Sequence, residues 1–263
     1  MTLFLVAQQP GFDAPDAGIF LTPCIVNFSL FGIDFCVNRV VLYMFLAALI
    51  VIVLFVTAAS GSGLVPRGAR NLVESVIEFV REQIVLQTMG AEGLRWLPLL
   101  TAMFSFILVG NLFGIVPGIN FPVNSRMAIP AFLAGMVWII FNAVGLKEQG
   151  FAYFKSVLFP PGVPWPFYIL LTPIEFASVF LLRPFTLAVR LLANMMAGHL
   201  LLTVFFLGAA YLIQRPFTIP FGILAFVFSV AFVAFEILVA VLQAYIFTIL
   251  TAVYIAGAMH PEH

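Results

Sequence analysis

Two apolar stretches near the C-terminus, roughly residues 168–212 and 217–258, constrain this chain more than any other feature. Only Gln214, Arg215 and Pro216 break the run between them. Each holds about 40 residues, or about 60 Å of helix, roughly twice what a vertical crossing of a ~30 Å hydrocarbon core needs. Each is therefore either a helical hairpin or one strongly tilted helix. No Gly/Pro/Asn cluster splits either stretch near its centre, so two tilted helices are predicted. Pro184 is placed to kink the first without ending it.

Composition agrees: 63% of the 263 residues are hydrophobic and 8% are charged, against about 25% charged in ordinary globular chains. Mean hydropathy is +1.18, so most of the surface must face lipid or a membrane partner. With 11 basic and 11 acidic residues the net charge is zero, and no basic field exists to attract nucleic acid.

The rest of the chain divides around further spans. Residues 1–37 are mixed in character, with no basic n-region of a signal peptide and with Asp13 and Asp16 interrupting the apolar stretch. A loose alternation from Val26 to Val37 around Phe31-Gly32 predicts a short hairpin. Cys24 and Cys36 show no metal-ligand spacing and are either buried thiols or, on an oxidising face, a disulfide. Residues 40–59 are long enough to cross the bilayer. Residues 61–68 (GSGLVPRG) resemble a protease-cleavable linker but run straight into a patterned helix and are read as native, with Pro66 suited to a helix start. Over residues 67–89, Leu72, Val73, Val76, Ile77, Val80 and Ile84 share one face, while Asn71, Glu74, Glu78, Arg81 and Glu82 lie mostly opposite. That pattern predicts an amphipathic helix lying at the membrane surface. Spans at about 96–116 and 127–145 follow, separated by a Pro/Gly/Asn loop at 117–125. A wet segment with Lys147, Glu148 and Lys155 then leads into Pro160, Pro161, Pro164 and Pro166.

The expectation is an all-α integral membrane protein, with about five transmembrane helices and one amphipathic interfacial helix. Residues 1–37 would form an extracytoplasmic segment and 38–263 a single membrane domain. With the N-terminus outside, Arg67, Arg70, Arg81, Arg95, Lys147 and Lys155 fall inside, and Arg39, Arg126 and Arg215 outside. That bias favours a cytoplasmic C-terminus.

The informative charges are those within the two long stretches: Glu175, Arg183, Arg190, His199 and Glu236. An ionisable group in the bilayer costs about 2.5–3.5 kcal/mol or more, so it normally pairs or lines a wet path. Arg190 stands mid-helix and its guanidinium stays protonated, so it cannot relay protons; it can block a path or favour ionisation of a nearby acid. A fixed salt bridge with Glu236, or snorkelling to a headgroup, is the plainer alternative. His199 and Glu236 titrate near neutrality in suitable surroundings and, on antiparallel helices, reach one depth in the outer half. Alone, such a histidine is more often a hydrogen-bonded packing residue. Glu175, about 22 Å before Arg190 along the axis, is either an inner aqueous entrance together with Ser178, one turn away, or an interfacial carboxylate. Asn194 follows Arg190 by one turn, and Gln243 follows Glu236 on the same face. Both amides suit water or the guanidinium, or simple helix–helix hydrogen bonding. Polar groups on both halves with a permanent cation between them describe two offset half-channels.

These residues carry a resemblance. Residues 183–199 (RPFTLAVRLLANMMAGH) resemble the signature helix of F-type ATP synthase subunit a, residues 236–251 (EILVAVLQAYIFTILT) its final helix, and residues 111–117 (NLFGIVP) a motif ending another helix of that family. The resemblance covers about residues 36–258, and the wording is closest to actinobacterial members. It implies that Arg190 faces the ring of c subunits, that His199 and Glu236 form the outer half-channel, and that Asn194 and Gln243 are polar partners near the arginine. Glu175 and Ser178 would belong to the inner half-channel. Gly114 stands where some members carry an acid, and the segment between Glu175 and Pro184 is one residue longer than in many members. The implied partners are the c-ring, the b subunit of the peripheral stalk, and protons rather than sodium as the moved ion.

A bacterial plasma membrane is expected, with the mitochondrial inner membrane as the alternative. No GxxxxGK[ST] loop is present, so neither bound nucleotide nor ATP chemistry is expected of this chain, and no cofactor. Two rivals remain, a secondary proton-coupled transporter and a purely structural membrane subunit. The first would need inverted repeats, and the second leaves the mid-helix arginine unexplained.

Overall fold

A computed structural model describes residues 24–30, 33–60, 68–116, 122–159, 167–214 and 216–259. Most of the linker at 61–68, the turn at Phe31-Gly32, part of the 117–125 loop, the proline run at 160–166 and Arg215 lie outside the described residues.

The expected hairpin forms from β1 (Val26–Leu30) and β2 (Ile33–Val37), antiparallel with Val26 opposite Val37. Of the two states open to the cysteines, the structure has the disulfide: Cys24 and Cys36 are bonded, closing the hairpin just ahead of β1. Asn38 then caps α1 (Arg39–Ala59), its side-chain oxygen accepting from Val41 N–H at 3.1 Å.

Among the described residues, five helical segments are long and apolar enough to cross a membrane: Arg39–Ala59, Ala91–Leu112, Ala128–Gln149, Tyr168–Ile213 and Pro216–Met259. The second joins a 3₁₀ turn (Ala91–Trp96) to α4 (Leu97–Leu112), and the third is α5 (Ala128–Gln149). The expected end of α5 near residue 145 is passed because nothing before Gly150 stops the helix. Gly150, at φ 61, closes it with its N–H on the Leu146 carbonyl.

The amphipathic segment consists of α2 (Ala69–Val80), a π turn (Arg81–Val85) and α3 (Leu86–Met89). Its apolar face is not simply laid on a membrane surface. Val73, Val80, Ile84 and Val85 are buried, and the Phe79 ring packs 5.6 Å from Phe104 of α4 and 5.9 Å from Tyr245 of the last helix. Leu72, expected on that face, is exposed.

Beyond α6 (Ala152–Leu158), the two long elements are continuous, as tilted helices rather than hairpins require. The first comprises α7 (Tyr168–Phe176), a π turn (Ala177–Leu182) and α8 (Arg183–Ile213); the second is α9 (Ile219–Met259). Pro184 cannot donate to the turn before it and crowds the carbonyl four residues back. The widened π turn immediately ahead relieves that conflict, and such a turn accommodates one inserted residue, which accounts for the extra length between Glu175 and Pro184. Along α8, Ala188, Met195, Leu202 and Ala209 are buried; along α9, Gly222, Ser229, Glu236 and Gln243 are buried. Both series repeat every seven residues, the period of a left-handed helix pair. Small residues within them let the two backbones approach closely.

Candidate functional site

The α8–α9 seam carries the polar groups. Glu236 is buried at 5% exposure in the middle of α9, and its carboxyl packs against Gly198 of α8. A Cβ at that glycine would stand 3.3 Å from Oε1 and 3.6 Å from Cδ. A larger residue would occupy the carboxyl's place, so the absence of a side chain at 198 is what admits Glu236 to the seam. His199, the next residue, is also buried, and the backbone of Gly114 hydrogen-bonds it. The position where an acid was noted as missing thus supplies a backbone contact instead.

A second polar layer continues from this pair. Asn111, at the end of α4, donates to the Ala240 carbonyl at 3.4 Å, one turn beyond Glu236. Asn124 Nδ2 donates to Asn111 Oδ1 at 2.7 Å from a 3₁₀ turn (Val123–Ser125) that packs against α8. Asn111, Asn124 and Ser125 are all buried, and Asn124 Oδ1, Ser125 Oγ and Glu236 Oε2 have no hydrogen-bond partner among the described residues. Unsatisfied buried polar atoms are costly and uncommon, so their clustering beside one carboxyl and one imidazole marks a polar site. Neither Asn124, Ser125 nor Gly198 stood out in the sequence. Polar residues in a loop between spans are the default, and only packing reveals which backbone a glycine clears.

Arg190 lies elsewhere on α8. It is exposed and makes no ion pair among the described residues, and Ala193 and Ala197 are exposed with it. The alternative of a fixed Arg190–Glu236 salt bridge is therefore not what the structure has. Asn194, one turn on, points back into the seam and donates to Gln243 Oε1 at 3.4 Å, while the buried Gln243 Nε2 finds no partner. Glu175 and Ser178 are half-buried near the start of the first long element, and among the described residues neither side chain joins a hydrogen bond or ion pair.

Arg183 completes the picture. It rests over the Tyr254 ring, 5.3 Å from the centroid. It also lies close enough to Tyr153 that its charge opposes the upward push of burial on that hydroxyl. Tyr153 donates in turn to Asn142 Oδ1 at 3.5 Å. Two arginines seven residues apart are therefore handled differently, one against aromatic rings inside the chain and one left open.

Fold and site together define a multi-pass membrane protein whose titratable groups lie between two long antiparallel helices, with an uncompensated cation on the adjoining outer face. The sequence profile of the family described as ATP synthase A chain matches residues 41–256. ATP synthase subunit a of Frankia alni is 43% identical over 98% of this chain and 90% of its own length. That of Rhodococcus erythropolis is 42% identical over 95% of this chain and 92% of its own length, and that of Maricaulis maris 37% over 91% and 95%. The chain belongs to the ATP synthase subunit a family.

Proposed function

We propose that this chain is the stationary half of the proton path in an F-type ATP synthase, passing protons to and from a rotating ring of c subunits through two offset half-channels. The observation that carries the reading is the separation of roles along α8. His199 of α8 is buried near Glu236 of α9, while the Arg190 guanidinium, nine residues before His199, lies exposed beside Ala193 and Ala197 with no ion pair among the described residues.

A proton enters the outer half-channel along Asn124 and Ser125, whose unpartnered oxygens suit ordered water, passes Asn111, and reaches His199 and Glu236. From there it neutralises a carboxylate on a c subunit, and the neutral form rotates into lipid. On completing its circuit the carboxyl meets the inner half-channel, where the field of Arg190 favours ionisation. The proton leaves past Ser178 and Glu175. Because the guanidinium stays charged, it also bars a direct leak between the two halves, with Asn194 and Gln243 ordering its surroundings. The chain itself is non-catalytic, and ATP chemistry belongs to partner subunits.

The N-terminus faces outward and the C-terminus inward. The Cys24–Cys36 disulfide supports this, since disulfides persist on oxidising faces, as does the excess of Lys and Arg in the segments assigned inside. A bacterial plasma membrane is the setting, with the c-ring and the b subunit of the peripheral stalk as partners.

The test is ATP-driven proton pumping in inverted vesicles, comparing the assembled complex with an Arg190→Ala complex. Loss of pumping with assembly intact is expected. Normal pumping would reduce Arg190 to a structural role and end the rotary-path reading.

A further inference from the structure

Where α4 begins and α5 ends, the two helices frame a cavity of about 420 Å³ on the side of the bundle away from the α8–α9 site. One wall is apolar. Ile140, Ala143 and Val144 line it, and Lys147 follows at the same end of α5. These four stand at i, i+3, i+4 and i+7, so they form a single stripe of hydrocarbon ending in an ammonium group.

The opposite wall is Arg95 and Trp96. Arg95 is held in place rather than loose. Its Nη2 lies 2.9 Å from Glu148 Oε1 and 3.1 Å from Met259 Sδ, and its charge centre is 5.9 Å from the Trp96 ring centroid. A guanidinium has five N–H donors, and these contacts engage only one of its nitrogens. Lys147, by contrast, has no ion pair among the described residues. The Trp96 indole Nε1–H is buried with no acceptor. The rim therefore offers an ammonium and spare guanidinium N–H groups, against one carboxylate already committed to Arg95. Net charge at the rim is +1, and the groove beneath it is greasy.

We propose that this cavity binds an anionic phospholipid, its phosphodiester between Lys147 and Arg95 and an acyl chain along Ile140, Ala143 and Val144. A basic pocket between transmembrane helices at a membrane face has the chemistry of an acidic headgroup site. A zwitterionic headgroup brings its own cation against Lys147, and a free phosphate ion leaves the apolar wall unused. The site stands apart from the proton path, so neither reading depends on the other.

The experiment uses the assembled complex, delipidated and reconstituted into nanodiscs of equal phosphatidylglycerol and phosphatidylcholine, with retained lipid identified by native mass spectrometry. Wild type retains phosphatidylglycerol above its bulk share. Lys147→Gln weakens that retention about fivefold, the worth of one basic residue at a membrane surface, and Lys147→Arg restores it. Ala143→Phe fills the hydrocarbon wall, lowering lipid retention while leaving any binding of inorganic phosphate intact. ATP-driven pumping in each variant verifies assembly. Equal retention of the two lipids by wild type overturns the proposal, as does retention insensitive to both Lys147→Gln and Ala143→Phe. Displacement of the bound lipid by inorganic phosphate alone would assign the site to a free anion instead.

Discussion

Gly198 is a position at which side-chain size should control proton flow, because its missing side chain leaves room for the Glu236 carboxyl. A Cβ there would lie 3.3 Å from Glu236 Oε1, 3.6 Å from Cδ and 3.7 Å from Cγ. Alanine therefore presses on the carboxyl by a few tenths of an ångström, and the end of a glutamate side chain can give by that much. Two energetic effects nearly cancel: roughly 1 kcal/mol gained in helix propensity against about 1–3 kcal/mol for overpacking. Valine adds two methyl groups beyond the Cβ, and the carboxyl must move by about 1 Å, a displacement that costs a reacting group about 10²-fold in rate. The assay is ATP-driven acidification of inverted vesicles carrying assembled complex. Gly198→Ala should keep most of the wild-type rate, and Gly198→Val should lose about 10²-fold. Gly208, on the same helix, has nothing within 4 Å of where its Cβ would stand, so Gly208→Val controls for the helix itself. Wild-type pumping by Gly198→Val, or an equal loss in Gly208→Val, would refute the reasoning.

Substitutions at three other positions probe the scaffold. Asn111→Leu strands the fully buried Asn124 amide, at about 1–3 kcal/mol; an unchanged thermal midpoint of the complex would sink the idea that this bond matters. Cys36→Ser opens a loop of 12 residues' separation, which should loosen the β1–β2 hairpin by about 3 kcal/mol. The readout is faster proteolytic nicking at that hairpin with pumping unchanged. Tyr254→Leu removes the ring under Arg183, worth about 2 kcal/mol for a desolvated cation–π contact. Tyr254→Phe should keep most of that, so identical thermal midpoints for the two variants would assign Arg183's stability to something other than the ring.

The spans were legible because a bilayer demands long apolar runs, and few other elements in a chain imitate them. Titratable residues inside those runs were legible for the same reason, since His199 and Glu236 interrupt a pattern that otherwise tolerates no charge. The π turns were hidden. An i→i+5 turn differs from an α turn by one residue, and only the extra length between Glu175 and Pro184 hinted at it. The docking of α2 on α4 and α9 was also hidden, because a helix with one apolar face has the same pattern whether that face meets lipid or protein. The state of the cysteines stayed open because a separation of 12 residues suits both a bond and two free thiols.

The contrast between Arg183 and Arg190 bears on why such a chain does not work alone. Seven residues apart, they stand within about 20° of each other around an ideal helix, so both would meet the same environment if the chain were the whole story. Arg183 is accommodated by this chain, its charge over Tyr254 and close to Tyr153. Arg190 has no carboxylate of its own, since Glu236 is turned into the α8–α9 seam beside Gly198. An arginine left facing hydrocarbon at mid-helix costs about 2.5–3.5 kcal/mol on insertion scales, too much for a side chain with no use. Ala193 and Ala197 keep the surface beside it low, so another helix can come close enough for an acid to reach the guanidinium. A carboxylate that is permanently paired there would be a static salt bridge, whereas one that arrives and departs would be attracted as an anion and released once protonated. Glu236, buried in the α8–α9 seam, does not neutralise Arg190 first.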